Sequence, residues 1–298
     1  MNKRTLAIIA AIGATTIYGL NHTIAKGVMP NYVQPFGFIM LRVIGAAVLF
    51  WLVAPFGPKE KIEKKDYLRM LLCAVLGMGI NMLSFFKGLS LSTPINSSVL
   101  ITTTPIIVLI LSTILIKEKI TQRKIVGIAV GLLGALGLIF FSTEIRHDAP
   151  NIPLGNFLIM MNSVFYGSYL IVVKTLIAKY HPFTFMKWLF SLGILICLPF
   201  GYHDLVQLDW GHLPFDALWR IAFVIIGTTF LTYLFNIFAL TQLKASTLSA
   251  FVYVQPLIGI AYAVFTGQDQ LTTIKVFAAC LVFIGVYLAT RKARPRLS

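Results

Sequence analysis

A single arginine, Arg42, interrupts the apolar run PFGFIMLRVIGAAVLFWLV, about eight residues in. A guanidinium at bilayer depth costs roughly 2.5–3.5 kcal/mol on insertion scales, so it needs a partner. Helix carbonyls could serve. So could a substrate carboxylate or phosphate, onto which arginine forks with two parallel hydrogen bonds. His22 lies in a second apolar run, where it is either a proton-sensitive group or a hydrogen-bonding link to a neighbouring helix. The ten acids are Glu60, Glu63, Asp66, Glu118, Glu144, Asp148, Asp204, Asp209, Asp216 and Asp269, and none falls mid-run. Basic groups at depth without acids favour an anionic or zwitterionic ligand. A carrier of lipophilic cations would use an embedded carboxylate.

Other polar side chains recur inside apolar runs. They are Tyr18, Asn21, Asn81, Ser84 and Thr102 in the first half of the chain, and Asn162, Tyr166, Tyr169, Tyr233, Asn236 and Tyr253 in the second. Asparagine in lipid is disfavoured unless bonded, so these side chains should face an interior. There they either contact a ligand or bond between helices. Phe85-Phe86 beside Asn81 is a candidate stacking surface. Lys26, Lys87 and Lys174 sit near the ends of runs and are expected to snorkel to the membrane interface.

Enzyme chemistry finds little support. HExxH and CxxC are absent, and no cofactor or metal is expected. Cys73, Cys197 and Cys280 stand alone in apolar segments and read as small buried residues. Ser97 and Ser98 could face His22, but no GxSxG elbow accompanies them. A polytopic membrane enzyme acting on lipid or peptide is the alternative from another class, and a cationic-drug efflux protein is the other rival.

The elements that would position these residues are membrane helices. The chain of 298 residues is 58% hydrophobic and 12% charged, with a mean hydropathy of +0.85. A bilayer-spanning helix needs about 20 mostly apolar residues. Ten such runs occur, at roughly 5–26, 34–55, 68–87, 93–116, 124–141, 154–175, 183–201, 217–238, 246–266 and 271–290. The fold class is therefore all-α integral membrane, one domain over 1–298. The first run is too long for a signal-peptide core and reads as an uncleaved helix.

The net charge of +15 is a topology signal rather than a nucleic-acid surface. With the N-terminus inside, nineteen of the 25 Lys and Arg fall on the inner side and five on the outer. That asymmetry predicts both termini in the cytoplasm of a cell that carries the protein in its inner or plasma membrane.

The chain also repeats itself. TTTPIIVLILSTILIKEKIT (102–121) and YVQPLIGIAYAVFTGQDQLT (253–272) share a proline at position four, an acid at seventeen and a threonine at twenty. Tyr18-Gly19 with Lys26 echoes Tyr166-Gly167 with Lys174. Pro35-Phe36 echoes Pro182-Phe183, and Gly134 echoes Gly285. Two sets of five helices, 5–141 and 154–290, must cross the membrane in opposite senses because five is odd. They form inverted-topology repeats. Pro105 and Pro256 are expected as mid-helix kinks facing inward. Glu118 and Asp269 are expected at the water interface, near the next helix's N-terminus. Gly127 and Gly131 have GxxxG spacing, for packing within the half or for a homodimer face.

In these motifs and this organisation the chain resembles the EamA family of the drug/metabolite transporter superfamily, over nearly its whole length. Asp269 stands where the family more often has Glu. The resemblance implies alternating-access export or exchange of small metabolites through a cavity between the halves. It leaves the substrate and the coupling ion open.

Overall fold

The structure, a computed structural model, describes residues 3–116, 122–141, 148–242 and 254–290. The described chain is built of helices. They are α1 (Lys3–Lys26), α2 (Pro35–Val53), α3 (Tyr67–Ala74), α4 (Asn81–Leu91), α5 (Pro94–Ile101), α6 (Thr104–Ile116), α7 (Gln122–Phe141), α8 (Ile152–Ile177), α9 (Pro182–Val206), α10 (Phe215–Ala222), α11 (Thr232–Gln242), α12 (Gln255–Phe265) and α13 (Thr273–Thr290). In lipid every backbone polar group must be satisfied within its own segment, which helices do. Six helical stretches are long and apolar enough to cross a membrane: Lys3–Lys26, Pro35–Phe56, Lys64–Leu91, Ile152–Val173, Pro182–Val206 and Phe215–Asn236. Shorter apolar helices cover Pro94–Val108, Ile125–Gly137, Gln255–Phe265 and Thr273–Gly285.

Helix starts follow local chemistry. Thr93 Oγ1 accepts from Asn96 N at 3.3 Å, and Pro94 opens α5. Asn151 Oδ1 accepts from Leu154 N at 3.1 Å to start α8. Such caps satisfy amide groups that have no intrahelical partner. Two wider π-turns, Val75–Ile80 and Phe223–Leu231, join α3 to α4 and α10 to α11.

The apolar helix Pro94–Val108 is interrupted beside Pro105. Helix α5 ends at Ile101 and α6 begins at Thr104, so Pro105 lies in the first turn of a new helix. Pro256 is buried, and the residues up to 253 that precede it lie outside the described ones. A first-turn proline sacrifices no hydrogen bond, because that amide has no helical acceptor. At the break, Thr102 Oγ1 donates to Val99 O at 2.5 Å and Thr103 Oγ1 to Leu100 O at 2.7 Å. These hydroxyls satisfy carbonyls at the end of α5.

Helices before residue 142 pack mainly on helices after residue 151. Helix α7 runs along α13, α2 along α9, α4 along α8, and α1 along α11 and α12. A methyl added at Gly285 would overlap the backbone of Gly131. The GxxxG stripe is thus spent on an internal contact between α7 and α13. Gly88 and Gly155 bring α4 and α8 equally close. An added methyl would meet Gly155 O at 2.8 Å in one case and Gly88 O at 2.7 Å in the other.

Candidate functional site

Arg42 projects from α2 and is 8% exposed. Its Nε donates to Thr229 Oγ1 at 2.6 Å. Its guanidinium carbon sits 5.2 Å from the centroid of the Phe86 ring, a cation–π distance. The terminal Nη1 and Nη2 make no hydrogen bond to a described residue and are not sealed from the space around them.

Four tyrosines gather about this group. Tyr18 of α1 and Tyr233 of α11 lie within electrostatic reach of Arg42. Tyr166 of α8 interacts with both of them. Tyr166 and Tyr169 have ring centroids 6.0 Å apart, and Gly77 leaves the room that the Tyr169 ring fills. Tyr233 meets Phe50 edge-on at 6.3 Å and Phe190 at 5.7 Å. Tyr166 is 38% exposed. These side chains come from α1, α2, α8 and α11, two helices from each half of the chain. Five sequence-derived candidates, Tyr18, Arg42, Tyr166, Tyr169 and Tyr233, therefore lie near one another.

Other candidates are committed to structure. His22 Nδ1 is 2.9 Å from Ser97 Oγ, and the ring meets Phe85 edge-on at 5.6 Å. His22 is 1% exposed and Ser97 0% exposed, so this pair presents no accessible nucleophile. Asn81 and Asn162 exchange bonds, each side-chain amide donating to the other's carbonyl, at 3.1 and 3.0 Å. Thr102 is used up in ending α5. Asn21 and Ser84 are buried, and Asn21 Oδ1 has no partner among the described residues. Asn236 is half-buried. Phe86 is fully buried and Phe85 nearly so; they meet edge-on at 5.1 Å, so the expected stacking surface is core. Cys73 and Cys197 are buried, but Cys280 is exposed, so the expectation of three buried cysteines fails there. Tyr253, Glu118 and the side chain of Lys174 lie outside the described residues.

Buried polar bonds gather near Lys26. Lys26 does not snorkel: it is 5% exposed and donates to Leu89 O at 3.0 Å and Ser90 O at 2.8 Å. Ser92 Oγ donates to Asn156 Oδ1, tying α4 to α8. Asp269 lies beside the start of the next helix, as expected, but is buried at 2% exposure rather than open to water, and it also caps α5. Its Oδ2 accepts from Ile95 N in α5 at 3.0 Å, and its Oδ1 accepts from Lys275 Nζ at 2.9 Å. These ion-pair side chains are 0% and 1% exposed. Burial without such partners would cost several kcal/mol per ion, roughly.

At the opposite end, the loop before α3 grips the turn after α8. Lys179 Nζ lies 2.5 Å from Asp66 Oδ2 and 2.7 Å from Glu63 Oε1. Tyr180 Oη donates to Asp66 Oδ2 at 2.7 Å. The hydrogen bond from Lys179, then that from Tyr180, holds Asp66 below the usual carboxylate range. Lys179, then Lys65, does the same to Glu63, and the two acids push the Lys179 ammonium up.

Sequence reasoning missed Thr229 and the two π-turns. A signal existed: Gly77 and Gly227 stand 150 positions apart, one in each π-turn. Among the described residues no three His, Cys, Asp or Glu come together to hold a metal.

Comparison with known proteins points one way. Residues 5–140 and 153–291 match the EamA-like transporter family. An uncharacterized transporter of Archaeoglobus fulgidus is 28% identical over 277 residues, covering 93% of this chain and 96% of that protein. The uncharacterized transporter YyaM of Bacillus subtilis is 23% identical over 288 residues, covering 95% and 92%. A solved crystal structure superposes with a TM-score of 0.64 at 14% identity, over 96% of this chain and 98% of that one. At that identity the likeness is one of fold.

Proposed function

The chain belongs to the EamA-like transporter family, and on that premise we propose that it carries small anionic or zwitterionic metabolites, such as amino acids or related compounds, across the cell membrane by alternating access. The observation that carries the substrate class is Arg42. It is a fixed positive charge between the halves, with its two terminal nitrogens unpaired by described residues. A carboxylate or phosphate would accept both in parallel, and hydrogen bonds to charged groups contribute about 1.5–3 kcal/mol. The tyrosine rings supply apolar walls with hydroxyls for orientation, as small-ligand sites generally do. Among the described residues no acid joins Arg42 and these tyrosines around the proposed chamber between them.

The proposed architecture is ten spans in two inverted repeats, 5–141 and 154–290. The six long apolar helices and four shorter stretches agree with it. So does the pairing of α4 with α8 and of α1 with α11, because a two-fold relation between halves exchanges those pairs. Charge asymmetry supports cytoplasmic termini and the cell membrane as the location. Export and exchange are the directions proposed.

A counterflow assay tests this. Proteoliposomes preloaded with amino acids, organic acids, phosphorylated sugars, nucleobases or organic cations would be followed for accumulation of labelled members. Accumulation of an acid or zwitterion is expected, and Arg42→Gln should lose it. Arg42→Lys keeps the charge but not the fork, and should weaken apparent affinity about tenfold or more. Accumulation of monocations alone, unaffected by Arg42→Gln, sinks the proposal.

A further inference from the structure

Arg42 could serve as an anion fork only if its plane is held, and one residue nothing else accounts for does the holding. Thr229 lies in the π-turn Phe223–Leu231 and is 0% exposed. Its Oγ1 donates to Val224 O, five residues back, at 2.9 Å. Its single hydroxyl proton is thereby committed, so toward Arg42 the oxygen can only accept. Arg42 Nε–H supplies that bond at 2.6 Å. The relay Arg42 Nε–H to Thr229 Oγ1–H to Val224 O has one polarity.

The widened turn matters. The side chain reaches a carbonyl five residues back, the spacing of the π-turn itself. Single π-turns within α-helices are frequent at functional positions. The neighbour Thr228 has a buried hydroxyl without a partner, so the turn's threonines are not interchangeable. The Phe86 ring then fixes the guanidinium on its face, 5.2 Å from the centroid. One bond at Nε and one ring on the face leave the Nη edge as the free edge.

We infer that Thr229 is the positioning residue for the substrate-binding arginine, and that the π-turn exists to aim the Arg42 Nη edge into the chamber. The inference rests on the anion reading of Arg42 for its consequence, but its geometry stands apart from transport.

The test uses purified full-length protein and phenylglyoxal, which modifies arginine, with the Arg42 peptide followed by mass spectrometry. Glutarate and inorganic phosphate serve as protecting probes. Thr229→Val removes the acceptor at near-constant volume, Thr229→Ser retains it, and Thr228→Val is the neighbouring control. Thr229→Val should change the Arg42 labelling rate and raise the half-protecting probe concentration about tenfold. Thr229→Ser and Thr228→Val should match the wild type in both. If Thr229→Val does not fold, Thr229→Ala is scored the same way. A labelling rate and a half-protecting concentration unchanged by loss of the hydroxyl overturn the inference. Failure of both probes to protect even the wild type counts against the anion reading instead. The labelling rate then decides positioning alone, and a rate shifted by Thr229→Val and restored by Thr229→Ser upholds it.

Discussion

Lys26 and Asp66 show how a charge finds its place in this protein. Lys26 lies in the last turn of α1, yet it is buried because Leu89 and Ser90 offer carbonyls at the end of α4. A lysine snorkels only when no acceptor is nearer than water. Asp66 and Glu63 gain Lys179, and the sign of that coupling is open to test. Both carboxyls are held below their ordinary range, so their contribution is complete above about pH 4–5 and is lost as pH falls through the depressed values. Lys179 is pushed above the ordinary lysine range, so its contribution is complete below about pH 10 and is lost at higher pH. Asp66→Asn should therefore lower the thermal midpoint by the same amount at pH 6 and pH 9, with the gap to wild type closing below about pH 4. A gap that grows as pH falls from 6 to 4 contradicts this assignment.

Helices here meet at glycines, and the expected cost of filling them differs by position. Gly88 and Gly155 face one another's carbonyl oxygens, which cannot move aside as a flexible side chain could. Gly88→Ala and Gly155→Ala should each destabilise by about 1–3 kcal/mol, the usual range for overpacking. Gly137 in α7 has nothing within 4 Å of an added methyl. Gly137→Ala should be neutral or stabilise by up to about 1 kcal/mol, since alanine is the better helix former. Thermal unfolding of the three variants checks the contrast. The same scale explains one proline: the apolar run around Pro105 looks continuous in sequence, but the helix is interrupted at residues 102–103 and Pro105 lies in the turn that follows. Hydropathy cannot distinguish a kinked helix from two helices end to end, because both bury the same side chains.

Across the whole molecule, α7 packs on α13 and α2 on α9, each position of one half against its counterpart in the other. The paired acid and lysine, Asp269 and Lys275, recur in sequence as Glu118 and Lys124, again six residues apart. Sidedness is the prediction at this scale. A green fluorescent protein fused after Ser298 should fluoresce, and alkaline phosphatase inserted at Asp148 should be active, placing the C-terminus inside and that loop outside. The reverse pattern overturns the proposed topology.

Composition, run length and the repeated motifs were enough to read an all-helical membrane chain and its family, because the bilayer admits few architectures and imposes a fixed length on each helix. Arg42 and the tyrosines could be singled out for a related reason: polar groups in apolar runs are disfavoured against lipid. Tertiary structure alone decided which inward groups stay available. His22 met Ser97, Asn81 met Asn162, and Lys26 met two carbonyls. Arg42 met Thr229 only at Nε. Those partners lie 63 to 187 residues away in sequence, and no local pattern encodes them. Whether a buried polar group becomes a site or a strut depends on how many of its hydrogen bonds the rest of the fold has already taken.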